Sequence, residues 1–293
     1  MFYLQTQLCN RKMVIIQIDG GLGNQMFGYA LYCSFLEKGV SAKLDLSKYN
    51  REGYAHNGYE LERIFHVNAA YSSKNEREIV KSISKLMHVI FKHPYKETDQ
   101  TQWIYQPAVA NMKFGFLKGY WQTEKYYSNA KDTILQKFKF PALSDDQNIA
   151  TLDKIKNSNS VSVHIRRGDY LLDGRSCTIN IQYYKNALAL INAKLSDPHF
   201  FVFSDDMEWA KKNIREQNVQ FVDWNSGDKS YIDMQLMRSC QHNIIANSSF
   251  SWWGAWLNNN PAKIVIAPQQ WMPHTHGTRD LIPDSWIKLP VAY

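Results

Sequence analysis

From Val161 onward the chain alternates short apolar, β-branched runs with stretches of helical spacing, and continues so to Ala267. Val161–Arg166, Phe200–Phe203, Val219–Val222, Asn243–Ala246 and Lys263–Ala267 read as strands. Gln182–Leu195, Met207–Gln217, Tyr231–Cys240 and Phe250–Asn258 between them read as helices. Strict alternation with helices of about ten residues means βαβ units and a parallel sheet. Parallel α/β sheets bind ligands at the carboxyl ends of their strands.

The N-terminal half is less regular. Met13–Ile18 reads as a buried strand, Asp19-Gly-Gly-Leu-Gly23 as a turn, and Asn24–Lys38 as a helix stopped by Gly39. Ala42–Leu46 fits a strand, 47–66 a long loop rich in Tyr, Asn and Gly, and Glu76–Lys92 a helix with apolar residues at helical spacing. Phe114–Trp121 fits a strand, and Thr123–Phe140 a helix ending before Pro141. A length of 293 residues suits two domains of about 150 each. The Ser/Asp/Asn-rich stretch Leu143–Ser160, partly helical, places the boundary, giving 1–155 and 156–293.

Several classes are excluded by what the chain lacks. No apolar stretch approaches the ~20 residues of a membrane span, and Met1–Lys12 has no signal-peptide core, so a cytoplasmic location is expected. Cys9, Cys33, Cys177 and Cys240 are scattered without Cys-x-x-Cys, which argues against a disulfide framework or a zinc ribbon. The excess of 34 Lys+Arg over 27 Asp+Glu suits a phosphorylated ligand, an anionic membrane surface or a polyanion. No block of five like charges marks a nucleic-acid tail.

Four segments could carry chemistry. Asp19-Gly-Gly-Leu-Gly-Asn-Gln25 lies between a strand and a helix, where glycines let a ligand approach the backbone. It does not match G-x-G-x-x-G, since Met26 holds the last position counted from Gly21, and a plain tight turn explains it equally well. In Val161-Ser-Val-His-Ile-Arg-Arg-Gly-Asp-Tyr170, His164 and Arg166 project to one side of the strand end and Arg167 follows at the exit. Two guanidinium groups there can hold a diphosphate, or simply pair with Asp169 and neighbouring carboxylates. Asn247-Ser-Ser-Phe-Ser251 opens a helix with three serines where capping needs one, while Trp252, Trp253 and Trp256 suit the core. Asp233 stands in the first turn of an apolar helix, able to accept two hydrogen bonds from a guanine edge or to serve the helix dipole. Ser204-Asp205-Asp206 reads as a helix cap, with Glu208 closing a capping box. There is no Asp-x-Asp to hold a divalent cation against a diphosphate, no His-Glu-x-x-His and no Gly-x-Ser-x-Gly.

Taken together, Gly20-Gly-Leu-Gly-Asn-Gln25, Gly119-Tyr-Trp-Gln122, His164-Ile-Arg-Arg-Gly-Asp-Tyr170 and Asn247-Ser-Ser-Phe-Ser-Trp-Trp-Gly-Ala255 resemble the bacterial branch of the α-1,2-fucosyltransferases, glycosyltransferase family 11. The arginine element is shared more widely among inverting fucosyltransferases, and the Ser-Phe-Ser-Trp-Trp-Gly element is more specific to this family. The resemblance implies an α/β, GT-B-like architecture of two Rossmann-like domains facing across a cleft. Residues 1–155 would shape mainly the acceptor side, and 156–293 would bind GDP-fucose. It also implies GDP-β-L-fucose as donor substrate, a galactose 2-hydroxyl on an oligosaccharide or lipid-linked glycan as acceptor, inversion, and neither metal nor other cofactor. A peripheral contact with the inner membrane is compatible; a nucleic-acid partner is not expected.

Carried onto this sequence, the resemblance assigns Arg166 to the leaving diphosphate, with Arg167 beside it. Gly21, Gly23, Asn24, Gln25, His164, Asp233, Ser248, Ser249 and Phe250 join them as donor contacts. Tyr120 and Trp121 are expected on the acceptor side. The base that removes the acceptor proton stays open among Asp19, Asp169 and Asp173; Asp19 could instead cap the next helix, and Asp169 could brace Arg167. A fucosyltransferase of another linkage shares the arginine element. A non-catalytic carbohydrate-binding protein would account for the 14% aromatic content without the arginines, and an RNA binder would need tighter Lys/Arg clustering.

Overall fold

Met13–Gln17 (β1) is β-branched and apolar, with Val14, Ile15 and Ile16 wholly buried. In the computed structural model, which describes residues 12–50, 57–91, 103–172, 177–273 and 279–293, β1 is the centre of a three-stranded sheet. It pairs in parallel with Ser41–Asp45 (β2) and Phe114–Lys118 (β3), Met13 standing opposite both Ser41 and Phe114. Leu22–Glu37 (α1) makes the crossover to β2. It is buried from Leu22 to Phe35 apart from Asn24, which is why its sequence carries no polar stripe. A Cβ on Gly28 would meet the Cδ1 methyl of Ile18, so glycine there lets α1 approach the sheet without displacing that side chain. A short helix, Leu61–Phe65 (α2), interrupts the expected 47–66 loop. The face bearing Ile15, Phe114 and Phe116 is covered by Val80 and Met87 of Lys74–Phe91 (α3).

The helix expected over Thr123–Phe140 is broken. After a single turn at Pro107–Ala110 (α4) and β3, Thr123 Oγ1 accepts from Lys125 N and starts two 3₁₀ turns, Glu124–Tyr126 and Ser128–Ala130. Only Lys131–Lys137 (α5) is α-helical. Tyr126 and Tyr127 are both fully buried, and consecutive large rings are hard to bury on one helix face.

The chain divides into two units, Met1–Lys139 with Arg279–Leu281, and Phe140–Thr278 with Ile282–Tyr293. The small insert is tied into the first unit by Asp280, which accepts from Tyr105 N at 2.9 Å and pairs with Lys125 Nζ at 2.6 Å. The division falls before Asp146–Lys156 (α6), which the expected boundary at 155 had placed in the N-terminal domain. Its Ile155 belongs to a core cluster of the second unit.

The second unit runs on through Asn159–Ile165 (β4), Gly168–Leu172 (α7), Ile181–Lys194 (α8), Pro198–Ser204 (β5) and Met207–Asn213 (α9). Val219–Val222 (β6), Tyr231–Ser239 (α10), His242–Ile244 (β7), Ser249–Trp256 (α11), Val265–Pro268 (β8) and Ile287–Leu289 (β9) complete it. All six strands are parallel, in the order β6-β5-β4-β7-β8-β9. Along β5 the side chains alternate. Phe200 and Val202 pack with Tyr183, Leu188 and Ile191 of α8, while Phe201 and Phe203 pack with Leu236 and Met237 of α10. Burial on both faces explains why these strands read as unbroken apolar runs. The chain winds outward from β4 through β5 to β6, then returns to place β7 on the other side of β4. The carboxyl ends of β4 and β7 therefore flank the topological switch point, where an open parallel sheet offers a crevice. Among the described residues no helix is long and apolar enough to cross a membrane, and the thiols of Cys33, Cys177 and Cys240 are buried and unbridged.

Candidate active site

The first residues beyond β4 are Arg166 and Arg167. Ile165 pairs in register with Ser204 of β5, so the two arginines leave the sheet beside Asp205 and Asp206. Arg166 holds two carboxylates at once, Asp205 Oδ2 through Nη1 at 3.0 Å and Asp169 Oδ1 through Nη2 at 2.9 Å. Burial works to lower its pKa, but Asp205 and Asp169 outweigh burial and hold it above the usual guanidinium value. Arg167 Nε donates to Asp206 Oδ2 at 3.0 Å, and its guanidinium lies 4.3 Å over the Trp209 ring. Asp206 also caps α9 by accepting from Trp209 N at 3.1 Å.

Asp205 fixes the turn that carries the arginines. Besides Arg166 it accepts from Arg167 N at 2.8 Å, and a Cβ on Gly168 would stand 2.9 Å from its Oδ2. The cap expected of Ser204-Asp205-Asp206 is thus only part of their role. Asp169, weighed as a brace for Arg167, pairs with Arg166 instead. The signal that would have found these pairs was strand register: in a βαβ unit, two basic residues leaving one strand meet two acidic residues leaving its neighbour.

His164 lies inside β4 and is 6% exposed. Burial, with Arg166 nearby, pushes its imidazole down to about 3, so the ring is neutral. Among the described residues its buried Nδ1 has no hydrogen-bond partner, and its ring faces Phe250 at 5.9 Å. Across the switch point, Asn247 is wholly buried and donates to Cys177 O and Trp271 O, while its carbonyl accepts from Tyr170 OH at 3.1 Å. That clamp sets the start of α11, where Ser248 Oγ accepts from Phe250 N and half-buried Ser249 stands in the first turn. The amino end of α11 therefore faces the arginine turn across the ends of β4 and β7, a setting suited to an anion. Trp252 and Trp253 are wholly buried core residues and Trp256 nearly so. Asp233 opens α10, beyond β6; burial pushes its carboxyl up to about 7, an Asn225 hydrogen bond partly offsetting that.

The first unit gathers its own cluster at the carboxyl ends of its three strands. Asp19 Oδ1 accepts from Gly20 N at 2.9 Å and its Oδ2 pairs with Lys48 Nζ at 3.2 Å. Asp19 does not cap α1; the cap position is Gly21, and it makes no side-chain bond. Gly20 has φ +83°, and a Cβ there would meet Asn24 Nδ2 at 2.6 Å. Gly23 is buried in the first turn of α1, and half-buried Asn24 accepts from Gln122 Nε2 at 2.7 Å. Two expected contacts need correction. Gln25 is fully buried: Nε2 donates to Gly20 O and Gly58 O, and Oε1 accepts from Glu60 N, so the amide holds the loop and has no face for a donor. Trp121 is only 2% exposed, its ring set edge-on to Tyr126 at 5.6 Å, so it is no open stacking platform, whereas Tyr120 is half-exposed. Trp121 has φ +53°, an unusual conformation for a bulky residue. Asp173 lies outside the described residues.

Gln25→Ala is expected to lower stability by about 3 kcal/mol, because the buried Gly20 O and Glu60 N and the partly buried Gly58 O lose their partner. Denaturant unfolding measures that loss. Nucleotide affinity measured beside it should not change, and a large drop would restore Gln25 as a ligand contact.

Among the described residues no group of three or more His, Cys, Asp or Glu side chains is arranged to hold a metal ion. The family model for glycosyl transferase family 11 matches residues 2–289. An alpha-1,2-colitosyltransferase of Escherichia coli is 34% identical, over 95% of this chain and 99% of its own length. The O-antigen biosynthesis glycosyltransferase WbnK of Escherichia coli is 32% identical, over 93% of this chain and 99% of its own. A solved mutant of Arabidopsis thaliana FUT1 in complex with GDP aligns at 10% identity with a TM-score of 0.44, over 92% of this chain and 75% of that one. With a match spanning nearly every residue, and with the Arg-Arg-Gly-Asp turn and the serine turn meeting at one switch point, the chain belongs to glycosyltransferase family 11, the family of the galactoside α-1,2-fucosyltransferases.

Proposed function

We propose that the protein transfers L-fucose from GDP-β-L-fucose to the 2-hydroxyl of a terminal galactoside, with inversion at the anomeric carbon. The observation that carries this reading is Arg166, held by two carboxylates at the switch point opposite the amino end of α11. In a single in-line displacement the acceptor oxygen bonds to C1 as the C1–O bond to the β-phosphate breaks. The bonding pair leaves with the phosphate, and the acceptor hydroxyl gives up its proton. The sugar becomes cationic and the departing diphosphate gains charge, so stabilising the leaving group is the main task.

Arg166 neutralises that charge, with Arg167 beside it and the first turn of α11, Ser248 to Phe250, seating the diphosphate. Neutral His164 offers a hydrogen bond to the nucleotide, and Asp233 accepts from the guanine edge. Gly21, Gly23, Asn24 and Tyr120 belong to the first unit's share of substrate binding. The base comes from Asp19, Asp169 or Asp173. Of these, Asp19 sits beside Lys48 at 3.2 Å and Asp169 beside Arg166 at 2.9 Å. A cytoplasmic enzyme meeting a lipid-linked galactoside at the inner membrane fits this reading.

The second reading keeps the site and changes the sugar. The Escherichia coli relative is named for colitosyl transfer, and a colitosyl group is a fucosyl group without its 3-hydroxyl. Both donors should therefore be offered with a panel of galactose-terminated glycans, and the product linkage determined by NMR. An α-1,2 product from GDP-fucose is expected. Transfer from the 3-deoxy donor alone would favour the second reading. Absence of transfer from either, or attachment at another hydroxyl, would overturn both.

A further inference from the structure

Asp233 is not an isolated carboxylate. Among the described residues its one side-chain hydrogen-bond donor is Asn225 Nδ2, at 2.8 Å from Oδ1. Asn225 stands in the loop after β6 and is itself held on two sides by Asn148 of α6, a residue only 2% exposed. Asn148 Nδ2 donates to Asn225 Oδ1 at 2.8 Å, and Asn225 Nδ2 donates back to Asn148 Oδ1 at 3.0 Å. Two further contacts fix which way these amides point. Trp224 Nε1, which can only donate, reaches Asn148 Oδ1 at 2.9 Å. Asp145 Oδ2 accepts from Asn148 Nδ2 at 3.0 Å, while Asp145 Oδ1 accepts from Asn148 N as the cap of α6.

The indole N–H and the cap carboxylate thus force Asn148 into one orientation. That orientation forces Asn225 to turn its NH₂ toward Asp233. An Asn225 flipped the other way would set a carbonyl oxygen against the carboxylate and leave Trp224 and Asn148 mispaired. Asp233 is consequently held with one lone pair of Oδ1 engaged and Oδ2 left to a ligand. In its ionised form such a half-buried carboxylate accepts and does not donate, so it calls for a ligand edge made of N–H groups. Guanine presents two side by side, at N1 and at its 2-amino group. Hypoxanthine keeps the first and lacks the second. Adenine presents an acceptor at N1.

We propose that Asn225, locked by Asn148 and Trp224, is the positioning residue that aims the Asp233 carboxylate at the base, and that this chain of amides makes the site selective for guanine over hypoxanthine. The inference rests on the proposed GDP-linked donor and adds to it the residues that set base choice.

Calorimetric binding of GDP and of inosine diphosphate to the intact protein tests it, with inorganic pyrophosphate as a control. The wild type should bind GDP about 10- to 100-fold more tightly than inosine diphosphate, the weight of one charge-assisted hydrogen bond. In Asn225→Ala the ratio should collapse to about threefold while pyrophosphate binding holds. Trp224→Phe keeps the ring and removes only the N–H, and the ratio should shrink there too. A merely structural role would lower melting temperature and leave the ratio alone. A folded Asn225→Ala protein with the wild-type ratio overturns the proposal; if that variant fails to fold, an unchanged ratio in Trp224→Phe does so. A wild type that does not distinguish the two nucleotides brings down the guanine reading itself.

Discussion

Replacing Arg166 with alanine should lower kcat by about 10²- to 10³-fold and leave the fold intact. Oxyanion-type stabilisation is worth that much because it acts where charge appears in the transition state. The loss is expected chiefly in kcat, since on the proposed reading Arg167 and the first turn of α11 still hold the ground-state diphosphate. Arg166→Lys should fall between the two, because an ammonium keeps the charge but not the planar fork that spans Asp205 and a phosphate oxygen together. The side chain is partly exposed and its partners are carboxylates that water can solvate, so unfolding should be nearly unaffected. Initial rates with GDP-fucose, beside a denaturant melt, make the comparison. Near-normal turnover in a folded Arg166→Ala protein would remove the leaving-group role.

The pairing of Arg166 with Asp205 also marks how far the sequence by itself discloses the site. The β4 and β5 runs and the helices between them were legible because burial on both faces of a parallel sheet leaves continuous apolar strands, a local signal. The position of the arginine turn was legible for the same reason: it ends such a strand. Asp205 was legible only as part of a cap, because its partner lies across the sheet and is set by strand register. Asn148, Trp224 and Asn225 gave no signal, since each is an ordinary loop or helix residue and only their convergence from α6 and the β6 exit gives them a role. Gln25 shows the opposite failure. It sits inside a glycine motif and looked like a ligand contact, yet its amide is saturated by backbone groups of Gly20, Gly58 and Glu60, which lie close only once the 57–60 segment folds over α1. Strand β9 escaped because three residues of mixed polarity carry no periodicity.

Donor binding should weaken sharply as pH falls below about 7, and Asp233 is the group responsible. Burial raises its carboxyl from the ordinary 3.8 to about 7, with the Asn225 N–H pulling the other way. Guanine N–H groups bind the ionised form, so the ligand must draw the proton off wherever the free site is neutral. Affinity should then fall about tenfold for each pH unit well below the pKa, roughly 50-fold between pH 7 and pH 5. His164, pushed down to about 3, stays neutral throughout this window and cannot mimic the effect. GDP-fucose is the ligand to use, because GDP itself ends in a free terminal phosphate whose second proton titrates at about pH 6 and would blur the profile. Asp233→Asn should flatten the profile at low affinity, its amide having a single acceptor oxygen to offer. The same shift has a consequence for stability, with a definite sign. A carboxyl whose folded-state pKa is raised favours the fold while it is protonated, and that contribution disappears as pH rises through about 7. The ligand-free Asp233→Asn protein should therefore melt higher than wild type at pH 8 and no higher at about pH 3.5. Binding that is flat from pH 5 to 8 in the wild type would mean that Asp233 does not meet the base. On the proposed reading, the site gives up unliganded stability above pH 7 to hold a carboxylate ready for two N–H donors, which is the use that the Asn225, Asn148 and Trp224 contacts would serve.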